Sequence, residues 1–182
     1  MKILVTGATG FLGSQIVRQL LKQKHRVRVL RRAASRLELL DGLKVETVVG
    51  DVTDRAAVFR AVKGCGAVFH VAGFISFWKP NNRAQHDINV LGTRHVVEAC
   101  LAHQVKRLVH TSSIAAVGYP TNGHPGDEAT PFNWGRRINY NWTKYLGELE
   151  VLKGIASGLD AVIVNPGTIF GPGDIHLNAG AV

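Results

Sequence analysis

The feature that most constrains the fold is a glycine-rich turn close to the start of the chain. The segment Thr6–Gly13 reads TGATGFLG. It follows an apolar stretch, Lys2–Thr6, and leads into a stretch of helical period, Phe11–Lys22. This order predicts a buried strand, a tight turn and a helix whose N-terminus is open to phosphate groups.

The three glycines of this turn suit different tasks. Gly7 can form the tight turn, Gly10 can let the backbone approach a pyrophosphate, and Gly13 can let the helix pack closely. Small residues near a turn also serve ordinary packing of a helix on a sheet. The position between a strand and a helix favours dinucleotide binding.

Apolar runs alternate with helical stretches along the whole chain. Further strands are predicted at Arg26–Leu30, Lys44–Val49, Ala67–Val71, Lys106–Thr111 and Ala161–Asn165. Further helices are predicted at Ser35–Leu40, Asp54–Val62, Asn82–His103 and Tyr140–Ser157. Uniformly apolar strands between helices predict an α/β fold, a Rossmann-type doubly wound parallel sheet flanked by helices. Ligands of such sheets bind at the carboxyl ends of the strands.

Composition excludes several other classes of protein. The 182 residues carry a formal charge of +9, but the basic residues are scattered, so we expect no nucleic-acid partner. Cys65 and Cys100 belong to no metal-ligand motif, and we expect two buried thiols and no metal. The sequence contains no apolar segment long enough to predict a membrane span, so a cytoplasmic location is expected.

The end of the second predicted strand bears on the choice of cofactor. NAD-binding folds usually carry a carboxylate there for the ribose 2′-hydroxyl, whereas this chain has Arg31 and Arg32. Two guanidinium groups can bind the 2′-phosphate of NADP, so NADP is predicted, with NAD as the alternative. Thr9 and Ser35 can add hydrogen bonds, and the two arginines can also be plain surface charges.

Two aspartates follow the third predicted strand. Asp51 can accept a hydrogen bond from the adenine amine, or it can cap a helix. Asp54 directly precedes the next helical stretch, and an N-cap is its simplest role.

A catalytic set is predicted from two further segments. Tyr140 and Lys144 are four residues apart in a helical stretch, so they share one face. A nearby ammonium lowers the pKa of a tyrosine and suits it to proton transfer. Ser113, or Ser112 beside it, follows a strand and can hold the substrate oxygen.

Taken together, these segments resemble the extended short-chain dehydrogenase/reductases, also called the NAD-dependent epimerase/dehydratase family. The motifs that carry the resemblance are Val5–Gly13, Gly50–Val52, Phe69–Gly73, Asn89–Thr93, Thr111–Ser113, Tyr140–Lys144 and Asn165–Thr168. Arg31, Arg32 and the run Val68–Ala72 look most like the dihydroflavonol reductase-like and hydroxysteroid dehydrogenase-like branch.

The resemblance implies a set of cofactor contacts. They are Gly7, Gly10, Phe11 and Leu12 at the pyrophosphate, Asp51 and Val52 at adenine, and Val71, Ala72, Gly73, Asn89, Ser112, Pro166, Gly167, Thr168 and Ile169 along the cofactor. Ser113, Tyr140 and Lys144 would form the catalytic set. Asn89 can equally be a structural helix residue.

The resemblance also sets the expected extent and function of the chain. Family members normally continue past Gly171–Asp174 into a substrate domain, so residues 1–182 are predicted to be one Rossmann domain, with a truncated substrate domain beginning at about residue 170. The expected function is an NADP-dependent oxidoreductase on a carbonyl or alcohol. The alternatives are an NDP-sugar epimerase or dehydratase with tightly held cofactor, and a non-catalytic NADP sensor.

Two surfaces remain as candidates for binding. Residues 74–78 and 119–134 are candidate substrate contacts, with aromatic packing as the alternative explanation. A homodimer through the helices at Asn82–His103 and Tyr140–Ser157 is expected from the resemblance.

Overall fold

The computed structural model describes residues 1–121 and 123–174. Six parallel strands form one sheet in the order β3-β2-β1-β4-β5-β6. The strands are β1 Lys2–Thr6, β2 Arg26–Arg31, β3 Glu46–Val49, β4 Ala67–His70, β5 Arg107–Thr111 and β6 Ala161–Val164. The prediction of a doubly wound parallel sheet is confirmed. Because the strand order reverses between β1 and β4, the carboxyl ends of these two strands flank the crevice in which such sheets bind ligands.

Helices cover both faces of the sheet. They are α1 Phe11–Lys22, α2 Arg55–Val62, α3 Asn82–His86, α4 Gly92–Ala102 and α5 Asn139–Ala156, with 3₁₀ turns at Glu38–Leu40, Lys79–Asn81 and Ile114–Ala116. Alternate residues of a strand point to opposite faces. Ile3 and Val5 therefore pack in one core with Val17 of α1, whereas Leu4 packs in the other with Val58 of α2 and Val96 of α4.

The amino end of α2 is fixed by the expected cap. Asp54 accepts a hydrogen bond of 3.1 Å from the Ala57 N–H, which satisfies one of the unpaired donors of the first turn. The prediction for Asp54 is confirmed.

The carboxyl end of α2 is fixed by a buried arginine. Nη1 of Arg28, from β2, donates hydrogen bonds of 2.7 Å to the carbonyls of Ala61 and Lys63. Its Nε donates to Glu46 at 2.8 Å. Arg28 is only 8% exposed, so it is not one of the solvated surface charges.

Two predicted helices differ from those observed. The stretch Ser35–Leu40 forms only the 3₁₀ turn Glu38–Leu40, because so short a segment pays the cost of helix nucleation with few hydrogen bonds to offset it. The stretch Asn82–His103 is helical but contains a π-helical turn at Asp87–Leu91 between α3 and α4. A π turn holds one extra residue, which the apolar spacing does not reveal.

Candidate active site

A groove of about 1020 Å³ lies along the carboxyl ends of the strands. Each strand contributes to its lining through its last residue or the turn that follows it. The lining contains every predicted site residue except Asn89: Gly7, Thr9, Gly10, Phe11, Leu12, Arg31, Arg32, Asp51, Val52, Val71, Ala72, Gly73, Ser112, Ser113, Tyr140, Lys144, Pro166, Gly167, Thr168 and Ile169. The structure therefore brings together residues that are far apart in the sequence.

The glycines of the first turn are constrained in two different ways. Gly7 has a φ of +67°, and a Cβ on it would lie 2.6 Å from the Ala72 nitrogen. A Cβ on Gly13 would lie 2.2 Å from the Gly7 oxygen. The fold itself therefore requires glycine at positions 7 and 13.

Gly10 is different, because the described part of the fold leaves room for a side chain there. Its Cβ would meet only the Gly7 oxygen, at 3.4 Å, which is ordinary contact. Gly10 is also the N-cap of α1, where the first N–H groups of the helix face outward. The open space at this helix end fits a phosphate group that approaches the backbone closely.

The end of the groove at β2 is basic. Arg31 and Arg32 both line it, and Nη1 of Arg31 donates to the carbonyls of Arg32 and Ala33 at 3.2 and 3.4 Å. Asp51 is the one carboxylate among the described lining residues. This end of the groove therefore favours an anionic group.

The Asp51 carboxylate belongs to a local turn. Its Oδ1 accepts hydrogen bonds of 2.9 Å from both the N–H and the hydroxyl of Thr53. The helix N-terminus itself is capped by Asp54. Asp51 is thus not a second helix cap, and its side chain borders the groove.

Tyr140 and Ser113 meet on the other side of the groove. Burial raises the pKa of the Tyr140 phenol, and a hydrogen bond with Ser113 opposes that rise. Oγ of Ser113 also accepts from the Ala115 N–H at 3.1 Å, which fixes the serine at the start of a 3₁₀ turn. The ring of Phe77 packs edge-on against Tyr140, with 6.3 Å between centroids.

Lys144 lies on the same helix but points into the protein. Its Nζ donates a hydrogen bond of 2.9 Å to the Thr111 carbonyl, and the residue is 6% exposed. Burial lowers the pKa of Lys144 to about 8, against the opposing charge of Glu148. The expected lowering of the tyrosine pKa by this ammonium is not found here, because burial dominates at Tyr140 and Lys144 is not among the groups that shift it.

Asn89 lies beneath the groove and does not line it. Its side chain forms two hydrogen bonds with the backbone of Phe74: it accepts from the N–H at 2.8 Å and donates to the carbonyl at 3.0 Å. It also donates to Thr143 on α5 at 3.1 Å. Asn89 therefore connects the turn after β4 with α5.

The helix that carries Tyr140 approaches the π-helical turn closely at Gly147. A Cβ on Gly147 would lie 2.7 Å from the Asn89 carbonyl oxygen. The absence of a side chain at this position sets the distance between the two segments.

Two fully buried histidines lie next to the groove without lining it, and sequence reasoning missed them. His70 and His110 are paired across β4 and β5, with ring centroids 5.2 Å apart. Within the described residues, both ring nitrogens of His110 and the Ser112 hydroxyl lack hydrogen-bond partners. Polar residues near the ends of two otherwise apolar strands were the signal that could have identified them.

The two candidate substrate segments behave differently. Phe74, Ile75 and Phe77 line the groove. Trp134 instead donates to the Val117 carbonyl at 2.9 Å and packs edge-on against Tyr119, at 5.8 Å between centroids. Tyr119 and Trp134 are therefore engaged in packing and do not line the groove.

The described ranges, residues 1–121 and 123–174, show no metal site. Within these ranges, no group of three or more His, Cys, Asp or Glu side chains is arranged to hold a metal ion. Cys65 and Cys100 are buried free thiols, as expected. No helix in these ranges is long and apolar enough to cross a membrane.

Comparison with known proteins agrees with this geometry. Residues 3–181 match the model of the NAD dependent epimerase/dehydratase family. A Synechocystis sp. protein that carries the name of dihydroflavonol 4-reductase is 41% identical over 94% of this chain and 50% of its own length. The 3 beta-hydroxysteroid dehydrogenase type 7 of Homo sapiens is 39% identical over 93% of this chain and 50% of its own length.

A solved structure supports the same assignment. The UDP-glucose 4-epimerase of Thermus thermophilus, solved in complex with NAD, superposes with a TM-score of 0.82 at 29% identity. The match covers 95% of this chain and 57% of that one. The chain thus spans about half the length of the curated relatives it matches. On its sequence, its strand order and its groove, the chain belongs to the NAD dependent epimerase/dehydratase family.

Proposed function

We propose that this chain is the cofactor-binding and catalytic half of an NADP-dependent oxidoreductase that acts on a carbonyl or alcohol. The observation that carries the proposal is one continuous groove with Arg31 and Arg32 at one end and Ser113, Tyr140 and Lys144 at the other. Relatives named as reductases and hydroxysteroid dehydrogenases support a redox reaction on a small molecule.

The choice of NADP over NAD rests on the end of β2. Arg31 and Arg32 supply positive charge there, and no carboxylate of this strand end lines the described groove to bind a ribose 2′-hydroxyl. Guanidinium groups bind phosphate with paired, charge-assisted hydrogen bonds. These residues therefore favour a 2′-phosphate.

The nicotinamide group would supply or accept the hydride, and the protein would manage the proton. In the direction of reduction, hydride adds to the carbonyl carbon and the Tyr140 hydroxyl gives its proton to the carbonyl oxygen. Burial keeps the phenol protonated at neutral pH because it raises the pKa of Tyr140. Ser113 is placed to hold the same oxygen, and solvent returns the proton to the phenolate.

Lys144 has a positioning and electrostatic part in this scheme. Its hydrogen bond to Thr111 ties the catalytic helix to the residue that precedes Ser112 and Ser113. With a pKa of about 8, its ammonium is largely charged at neutral pH. Because Lys144 lines the groove, this positive charge favours an anionic cofactor there.

Calorimetric titration with NADPH and NADH tests the proposal. NADPH should bind more tightly, and Arg31→Ala or Arg32→Ala should reduce that preference by about tenfold or more, the scale of one lost charge-assisted contact. Arg26→Ala is the matched control, since Arg26 is exposed at the opposite end of the same strand. Equal affinity for both nucleotides, unchanged by either groove variant, would refute the NADP assignment.

An epimerase that retains its cofactor is the second candidate function. The superposition on an NAD-bound UDP-glucose 4-epimerase favours it. Such an enzyme holds its nucleotide through the whole cycle, so the purified protein would carry bound nucleotide. During turnover the absorbance of the reduced nicotinamide would show no net change. Free exchange of nucleotide and net oxidation of NADPH would support the oxidoreductase.

We also propose that the chain associates as a homodimer. Leu152 and Ile155 of α5 are half-exposed apolar side chains, which suits the expected homodimer through α3, α4 and α5. A monomer in sedimentation equilibrium would contradict it. The cytoplasmic location stays a prediction.

A further inference from the structure

A series of buried hydrogen bonds lies beneath the groove and involves His70. It begins where the N–H groups of Val71 and Ala72 each donate to the Thr6 hydroxyl oxygen, at 3.2 Å. Thr6 contacts Nδ1 of His70 at 2.7 Å, and Nε2 of His70 contacts the Thr93 hydroxyl at 3.0 Å. Val71 and Ala72 line the groove, so the series starts at the groove wall.

Counting donors fixes the state of the histidine. The oxygen of Thr6 accepts two backbone N–H groups, so its own hydrogen is free to donate, and Nδ1 of His70 must be the acceptor. The Thr93 hydroxyl donates to the Asn89 carbonyl at 2.7 Å, so it accepts from Nε2 of His70. His70 is thereby the neutral tautomer with its proton on Nε2.

The series continues from Asn89 to the catalytic helix. The Asn89 side chain donates to the Thr143 hydroxyl at 3.1 Å, and that hydroxyl donates to the Tyr140 carbonyl at 3.0 Å. Every bond from the groove wall to Tyr140 therefore has its donor on the side of the wall. The bonds from the wall to the Asn89 carbonyl share one direction and strengthen one another, and the covalent frame of Asn89 joins them to the bonds at Thr143.

Burial makes each member of the series costly to lose. His70, Thr6 and Thr143 are fully buried, and Thr93 and Asn89 are almost so. The titratable groups that face His70 are the His110 ring and the Lys144 ammonium. Burial, aided by Lys144, lowers the pKa of His70 to about 3, in accord with a neutral ring.

We propose that His70 is a positioning residue that, as the Nε2–H tautomer, couples the groove wall at Val71 and Ala72 to the first turn of the Tyr140 helix. The inference rests on the proposed function, because what is positioned is the cofactor wall and the catalytic tyrosine. His70 itself lies outside the groove lining and touches no reacting atom.

The first test reads the histidine directly and needs no nucleotide. Long-range ¹⁵N–¹H correlation spectra of the whole chain, recorded between pH 6 and pH 8, are expected to show His70 neutral and protonated on Nε2 alone. An Nδ1–H tautomer, a mixture of tautomers, or a protonated ring at pH 6 would overturn the assignment.

The second test asks whether the series positions the groove wall. Thr6→Val removes the hydroxyl without changing the size of the side chain, while Thr6→Ser retains it. We expect Thr6→Val to shift the ¹⁵N resonances of His70, because Nδ1 loses its donor while Nε2–H keeps Thr93 as acceptor. The variant should also bind NADPH about tenfold more weakly, as for loss of a buried hydrogen bond. Thr6→Ser should keep the wild-type spectrum and affinity.

The outcomes separate this inference from the proposed function. If the wild-type chain binds neither nucleotide, the proposed function fails while the tautomer is still read. If a folded Thr6→Val protein binds NADPH as wild type does, the positioning role is refuted. Should Thr6→Val not fold, Thr93→Val against Thr93→Ser gives the same comparison at the Nε2 side of the ring, with the same expected and contrary results.

Discussion

The ammonium of Lys144 donates its 2.9 Å hydrogen bond to the backbone carbonyl of Thr111, across the boundary between α5 and β5. A buried cation thus ties the helix of Tyr140 to the strand that precedes Ser113. The arrangement has a cost, because burial lowers the pKa of Lys144 from 10.5 to about 8.

The pH dependence of stability should reveal this cost. Between pH 8 and pH 10.5 the unfolded chain holds the Lys144 proton more firmly than the folded protein, so the free energy of unfolding rises with pH in this window. Relative to Lys144→Met, wild type should gain roughly 2.4 kcal/mol from pH 7.5 to pH 10. Urea unfolding at both values measures it, with Lys106→Met at an exposed lysine as the control. A constant difference between wild type and Lys144→Met would contradict the burial of the charge.

His110 should make the protein sensitive to acid. Burial, with the charge of Lys144 and the ring of His70, holds the pKa of His110 well below 6.5. As pH falls below 6.5 the unfolded chain takes up a proton that the folded chain does not, so stability is lost. Between pH 6.5 and pH 4.5, the unfolding free energy of His110→Phe should therefore fall less steeply with falling pH than that of wild type. The difference in slope should be about 1.4 kcal/mol per pH unit, which corresponds to one proton.

The same variant carries a second expectation. Within the described residues both ring nitrogens of His110 lack hydrogen-bond partners, and burying unpaired polar atoms costs free energy. An apolar ring of similar size removes this cost. His110→Phe should therefore be at least as stable as wild type at pH 7. A clear loss of stability at that pH would indicate that the imidazole is hydrogen-bonded in solution.

The first turn offers a pair of substitutions that separates folding from binding. Gly7→Ala places a side chain at a φ of +67° and against the Ala72 backbone, and we expect a loss of about 2 kcal/mol or more. Gly10→Ala has room in the described fold and should melt at nearly the wild-type temperature while binding NADPH at least tenfold more weakly. Thermal melting and calorimetry on both variants check this. Equal losses of stability would show that Gly10 also serves the fold.

The cap of α2 gives a prediction that concerns stability alone. Asp54→Ala removes the acceptor for the Ala57 N–H and should cost about 1 kcal/mol in urea unfolding. Asp54→Asn keeps an acceptor and should cost less. Nucleotide affinity should be unchanged in both, because Asp54 is not part of the groove lining.

Some elements could be predicted because local sequence determines them. The bounds of β1 and α1 match the prediction, since the glycine turn between them marks both the end of the strand and the start of the helix. Asp54 shows the same: one acidic residue before an apolar period is enough to identify a cap. The groove followed from topology, because parallel strands end at one edge of the sheet.

Other features depend on partners that are distant in sequence. His70 is bonded to Thr6, 64 residues away, and to Thr93, 23 residues away, so no local pattern identifies its role. The pKa of Tyr140 is raised by burial, which depends on the whole fold. The sequence shows only that a lysine follows four residues later, and this spacing predicted a lowered pKa. The π-helical turn at Asp87–Leu91 was not predicted either, because one extra residue hardly changes the spacing of apolar residues along a helix.

The close approach at Gly147 means that the position of the Tyr140 helix depends on a hydrogen atom in place of a methyl group, about two helical turns from the tyrosine. A helix behaves as a stiff rod, so pushing it away from Asn89 at this point would shift Tyr140 and Lys144 together. A substitution at Gly147 would therefore change the shape of the groove at Tyr140, although Gly147 does not line it.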